Sequence, residues 1–261
     1  PVKGTMAHSY IQAHENERTA FEAFASLYPE TVLLVDTYDT LQGVQEVIDL
    51  ARRWGDAFRV SGVRLDSGDL GALALEARRM LDAAGLPQVK VIASGGLDED
   101  AIAELVADEA PIDGFGVGTS LGVAGDAPDL DIAYKLAEYA GRGRLKLSSG
   151  KPILPGRKQV YRRTKDGQFV GDVIAREGED LAGEPLLVPV MRDGRRLTGH
   201  VTDLDAMRAY AARQIENLPE AIRSIRPAPN AYPVAISQAL QRHHEAVKES
   251  VAANARQSTE T

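Results

Sequence analysis

The stretch Val63-Arg64-Leu65-Asp66-Ser67-Gly68-Asp69-Leu70 decides the fold. Its first half closes a short apolar run, Gly62–Leu65, of the kind buried on both faces of a parallel sheet. Its second half turns through polar residues into an amphipathic stretch, Leu70–Ala84, behind Asp69, a natural helix N-cap. Strand, polar turn and helix in that order make the βα unit of an α/β protein. Arg64 and Asp66 stand two apart, so both side chains leave the strand on one side.

The same unit recurs on either side. Apolar runs at Val2–Gly4, Val32–Val35, Gly62–Leu65, Val89–Ala93 and Gly114–Val117 alternate with helical patterns at Ile11–Leu27, Leu41–Trp54, Leu70–Ala84 and Glu99–Ala107. Asp98 is a second N-cap and Gly85 a helix stop. An eight-unit barrel takes roughly 250 residues, and these strands fill about half of the chain. The expected fold is therefore α/β, an incomplete (β/α) barrel, with an open doubly wound sheet as the competitor. Pro1–Thr5 reads as a buried strand with no lead-in, which suggests a fragment or a processed product.

After Gly141 the pattern changes. Arg144–Ser149, Gln159–Arg163, Gln168–Ala175 and Pro185–Met191 read as antiparallel strands. Lys165-Asp166-Gly167 and Arg192-Asp193-Gly194 are the turns. Helices are expected near Leu204–Glu216 and Pro233–Ser250, and a polar, disordered end from about Ala252. Asp131–Tyr139 fits helix or strand. The expected division is 1–141, a partial barrel with a phosphoribosyl and phosphate site, and 142–261, a smaller α+β segment.

Composition removes several functions. The chain has no cysteine, so disulfides, thiolate metal sites and thiol nucleophiles are excluded. A net charge of −8 argues against a general nucleic-acid surface. No run approaches the ~20 apolar residues of a membrane span, and the first residues lack the apolar core of a signal peptide. These features fit a cytoplasmic protein with no nucleic-acid or membrane partner.

In parallel α/β folds the chemistry gathers at the carboxyl ends of the strands. Here those ends read Gly4-Thr5-Met6-Ala7-His8-Ser9, Asp36-Thr37-Tyr38-Asp39, Arg64-Leu65-Asp66-Ser67-Gly68-Asp69, Ser94-Gly95-Gly96-Leu97 and Gly114-Phe115-Gly116-Val117-Gly118-Thr119. All are polar or glycine-rich and all fall on one side, which predicts a common site for a phosphorylated sugar. Ser94-Gly95-Gly96 before a helix, and Gly116-Val117-Gly118, suit phosphate through bare backbone amides, though they also suit plain tight turns. Gly114-x-Gly116-x-Gly118 is not the dinucleotide fingerprint. Arg64 suits phosphate, and Asp66 suits ribose hydroxyls or Mg²⁺, unless the two form an internal ion pair. Asp36 suits metal, sugar or a turn. His8 suits acid–base or nucleophilic work, or a structural place. His14, His243 and His244 read as surface residues, and His200 precedes a turn.

Those five turns, in order, together with Leu154-Pro155-Gly156-Arg157-Lys158-Gln159-Val160-Tyr161, resemble the nicotinate phosphoribosyltransferases. The resemblance implies a type II phosphoribosyltransferase barrel. It implies a cytoplasmic enzyme of NAD salvage that joins nicotinate to 5-phosphoribosyl 1-diphosphate with coupled ATP hydrolysis and Mg²⁺. It makes His8 a phosphohistidine and puts Thr5, Arg64 and Thr119 on substrate. The residues themselves add Asp66 to the catalytic set, Asp36 and Ser67 to substrate, and Ser94, Gly95, Gly96, Gly116, Val117 and Gly118 to phosphate; metal ligands stay unassigned. Family members carry a large portion before the His8 motif, so the chain resembles the C-terminal portion of such an enzyme. A homodimer, or an assembly with a chain supplying the rest, is expected. A nicotinamide- or quinolinate-using relative and a non-catalytic subunit are the alternatives.

Overall fold

The structure is a computed structural model that describes residues 5–123, 134–147, 153–199, 203–224, 226 and 228–257, with side chains to Asn254. The expected strand at Val2–Gly4 and the turn at His200 lie outside the described residues. The chain forms two compact units, Pro1–Pro155 with Ala246–Thr261, and Gly156–Glu245.

The first unit opens with α1 (His8–Ala13) and α2 (Glu17–Leu27). It continues through β1 (Val32–Leu34), α3 (Thr40–Trp54), β2 (Gly62–Leu65), α4 (Leu70–Ala83), β3 (Lys90–Ser94), α5 (Glu99–Ala107), β4 (Gly114–Gly116) and α6 (Thr119–Gly122). The four strands are parallel and stand side by side in chain order, β1-β2-β3-β4. α2 packs on α3 and α3 on α4. The described strands show no reversal of order of the kind that marks a doubly wound sheet. The fold is mixed α/β with a parallel sheet.

The core follows from the pattern. Leu33, Leu34, Val63, Leu65, Val91 and Ala93 are buried in the strands, and Val44, Val47, Leu50, Ala77 and Leu81 are buried beneath α3 and α4. Each large aliphatic side chain so buried contributes about 1.5–3 kcal/mol. Asp39, Asp69 and Asp98 cap α3, α4 and α5, accepting from the N–H groups of Gln42, Ala72 and Ala101. Gly85 ends α4 with φ +76°.

The helix expected over 11–27 is two helices. Asn16 breaks it by accepting from the Thr19 N–H and starting α2 afresh. His14 is half-buried rather than a surface residue, because its Nδ1 meets the Tyr10 carbonyl at 2.8 Å and its ring stacks on Tyr10.

A short antiparallel pair follows, β5 (Glu138–Tyr139) and β6 (Arg142–Gly143). The expected strand from Arg144 does not form among its described residues. Instead Leu145 is buried and the Leu147 N–H donates to the Thr37 carbonyl. The first unit extends to Pro155, past the division expected after 141.

The second unit is built on the long antiparallel hairpin of β7 (Lys158–Lys165) and β8 (Gln168–Arg176). Asp166 and Gly167, with φ of +51° and +81°, make its turn. β9 (Glu184–Pro185) pairs with β7, and β10 (Met191–Arg192) with β11 (Arg195–Arg196). α7 (Leu204–Glu216) and the short α8 (Glu220–Arg223) follow. The helix expected from Pro233 starts later. Val234–Ile236 forms β12, parallel to β8, and Ser237 then caps α9 (Gln238–Gln257) by accepting from Leu240. α9 includes residues 252–257, the described part of the end expected to be disordered. Among the described residues no helix is long and apolar enough to cross a membrane.

Candidate functional site

The carboxyl ends of β1, β2 and β3 bring a polar cluster together. β1 runs into Asp36 and Thr37, both fully buried. β2 delivers Arg64 and, just past its end, Asp66 and Ser67; β3 ends on Ser94. His8 opens α1 above them. Its Nδ1 lies 3.1 Å from the Thr37 hydroxyl, and its Nε2 lies 3.4 Å from Asp66 and 4.0 Å from Asp36.

Arg64 ties the strand ends to each other. It donates to Asp66 at 3.0 Å, to the Ser94 hydroxyl at 3.0 Å and to the Met6 carbonyl at 2.8 Å. Ser94 in turn donates to Asp66, and Ser67 donates to Asp36. The internal Arg64–Asp66 ion pair thus exists. Burial pushes the Asp66 carboxyl up, but contacts from His8 and Ser94 and the Arg64 charge outweigh it and hold the group at about 2. Asp66 is a carboxylate at any physiological pH.

Lys146, which belongs to none of the strand-end turns, stands at the centre. Its ammonium is 3.0 Å from His8 Nε2, 3.4 Å from Ser67 Oγ and 3.6 Å from Asp36. An ammonium only donates, so Nε2 accepts from it and Nδ1 carries the ring proton toward Thr37. The sequence held one signal for Lys146: it lies between Leu145 and Leu147, on the side opposite those apolar neighbours. Thr37 was passed over as part of a polar turn.

The glycine turns fare differently. Gly95 and Gly96 both have positive φ, +93° and +64°, so the turn after β3 presents bare backbone. Asp98 accepts from the Ala101 N–H, so the amides of Glu99 and Asp100 at the start of α5 lie beside those of the turn. Gly116 lies beside Ser94, where a Cβ would come 3.2 Å from the serine Cβ. Val117, Gly118 and Thr119 lead into α6, Thr119 is exposed, and no described hydrogen bond joins it to the His8 cluster. The Thr5 hydroxyl donates to the Val32 carbonyl, at the start of β1 rather than at its carboxyl end. A crevice of about 440 Å³ opens beside the cluster, lined by Tyr38, Thr40, Ser67, Asp69 and Leu147.

Similarity to known proteins gives this geometry a family. A profile of the nicotinate phosphoribosyltransferase C-terminal domain matches residues 180–244. Nicotinate phosphoribosyltransferase pncB2 of Mycobacterium tuberculosis is 57% identical over 240 residues, 92% of this chain and 52% of that protein. The chain belongs to the nicotinate phosphoribosyltransferase family. The family member of Bacillus subtilis is 46% identical over 184 residues, 67% of this chain and 38% of its own length. The human one is 30% identical over 266 residues, 88% and 49%. The chain thus spans about half the length of the curated relatives it matches.

Proposed function

We propose that the chain carries the strand-end site of a cytoplasmic nicotinate phosphoribosyltransferase of NAD salvage. The nicotinate ring nitrogen attacks C1 of 5-phosphoribosyl 1-diphosphate. The C1–oxygen bond breaks, and its electron pair leaves with the diphosphate. The observation that carries this reading is His8, held between Thr37 and Lys146 at the carboxyl ends of parallel strands, in a chain 57% identical to an enzyme of that name. The relatives' names favour nicotinate over nicotinamide or quinolinate. The sequential strand order supports the finer fold reading, a partial (β/α) barrel of the type II phosphoribosyltransferase kind.

The residues divide the work as follows. Charge builds on the sugar and on the leaving diphosphate together, and fixed dipoles and cations act best where that charge appears. Arg64 and Lys146 face the leaving group, while Asp36, Asp66 and Ser67 orient sugar hydroxyls. The turns at Ser94-Gly95-Gly96 and Gly116-Val117-Gly118 take the 5-phosphate, with Thr5 and Thr119 completing substrate contact. His8 takes the terminal phosphoryl group of ATP on a ring nitrogen, with ADP leaving, and water later releases phosphate from it. With Lys146 in place, His8, Asp36 and Asp66 do not fit a metal ion held directly by the protein. We place magnesium on the diphosphate sugar and assign no step to it. The working form is a homodimer, or an assembly with a chain supplying the rest of the family's length.

The test is nicotinate mononucleotide formation, with and without ATP, by this chain alone and with the remaining part of a full-length relative. Activity in either arrangement is expected, and His8→Ala should abolish the stimulation by ATP. Undiminished stimulation in that variant removes the role of His8; no product in both arrangements removes the function.

A further inference from the structure

His8, Asp36 and Asp66 each offer a ligand atom, and these atoms lie within 4.8 Å of one another. One imidazole and two carboxylates at that spacing are what a divalent ion takes. Asp36 is fully buried, and its Oδ1 has no hydrogen-bond partner. A buried carboxylate with an idle oxygen calls for a cation. A cation already stands on that carboxylate: the Lys146 ammonium lies 3.6 Å from its other oxygen, Oδ2, and also reaches His8 Nε2 and Ser67.

We propose that Lys146 is the resident cation of this cluster and that its ammonium keeps divalent metal out. Three observations converge on it. The first is charge. Arg64 pairs with Asp66 at 3.0 Å and Lys146 with Asp36 at 3.6 Å, so two carboxylates face two cations and the cluster is balanced. A divalent ion would add two positive charges within a few ångströms of an ammonium, in a partly dry site where repulsion is poorly screened. The second is the lone pair. His8 Nε2 accepts from Lys146, so the nitrogen that a metal would use is taken. The third is burial: the Lys146 side chain is 12% exposed, so the ammonium does not swing out to water as a surface lysine does.

It follows that removing the ammonium should create a metal site. Without it Asp36 is left buried and uncompensated, and His8 Nε2 is released. Manganese(II) is the probe, titrated into the full chain and followed by electron paramagnetic resonance of the free ion. The unmodified chain is expected to show no stoichiometric binding at submillimolar metal. Lys146→Ala and Lys146→Gln should each bind one ion at least ~10-fold more tightly, a difference of about 1.4 kcal/mol. Lys146→Arg should keep the exclusion, and Asp36→Asn added to Lys146→Ala should undo the new site. Tight binding of one ion by the unmodified chain overturns the proposal. So does a pair of well-folded neutral variants that bind no better than it. Lys146→Gln, close to lysine in shape, carries the test should the alanine variant fail to fold. The titration reads the cluster without the transfer reaction, so this inference and the proposed function fail separately.

Discussion

A Cβ added to Gly95 would sit 1.9 Å from the carbonyl oxygen of Asp66. The turn after β3 therefore lies against the backbone that follows β2, and two of the site's strand ends are in direct contact. With φ at +93°, Gly95 also occupies a backbone region that other residues rarely adopt.

Gly95→Ala should accordingly destabilise the first unit by about 2 kcal/mol or more, from the clash and the backbone strain together. Gly118→Ala is the control, because nothing lies within 4 Å of its added Cβ and its φ is −114°. Urea denaturation of both variants decides the matter. Equal, small losses would mean that the β2–β3 contact is loose.

Glu17, at the start of α2, sets a pH dependence. Burial pushes its carboxyl well above the ordinary 4.5, and the charges of Glu46, Asp36 and Asp39 push it further; a hydrogen bond from the Thr37 backbone opposes them. Above pH 4.5 the unfolded chain has lost this proton while the folded chain keeps it. Stability therefore falls as pH rises through that window, until the folded group also ionises. Glu17→Gln removes this slope and leaves Glu46 unchanged. Its stability should exceed that of the unmodified chain by an amount that grows from pH 4.5 upward. Melting curves from pH 4 to 8 measure it, and a constant difference would contradict the protonated carboxyl.

Asp172 in β8 is the electrostatic centre of the second unit. Arg162 grips both of its oxygens, at 3.0 and 2.8 Å, and the Tyr232 hydroxyl donates to it at 3.0 Å. The guanidinium also lies over the Phe169 ring, 4.5 Å from its centre. Asp172→Ala removes the partner of a half-buried guanidinium and should cost about 1.5–3 kcal/mol. Faster amide exchange along Lys158–Arg176 is the expected sign. A loss under about 0.5 kcal/mol would reduce the cluster to an ordinary surface pair.

The sequence showed the parallel sheet clearly, because β1 to β3 are buried on both faces and bounded by capping aspartates. Asp69 and Asp98 start their helices where expected for that reason. It hid what depends on distant partners. Val234–Ile236 passes for the first turn of a helix until the free edge of β8 lies beside it. Asn16 interrupts a stretch whose apolar residues, Ile11, Ala20 and Phe21, all face one core, so the pattern runs on across the break. Of the site, His8, Asp36, Arg64, Asp66, Ser67 and Ser94 were legible as strand ends and do converge. Thr5 shared that logic, but its hydroxyl meets the start of β1, and only the folded chain shows which end of a strand a residue meets; no described hydrogen bond joins Thr119 to the cluster. Lys146 was illegible because its partner His8 is 138 positions away.

That separation has a meaning for biosynthesis. His8, Asp36 and Asp66 leave the ribosome eighty or more positions before Lys146. A nascent chain that has paired β1 with β2 holds Asp36 without the ammonium that balances it. Until Lys146 emerges, that carboxylate lacks the charge that faces it in the folded chain. Arrival of a single basic residue, some eighty positions after Asp66, locks what was made first.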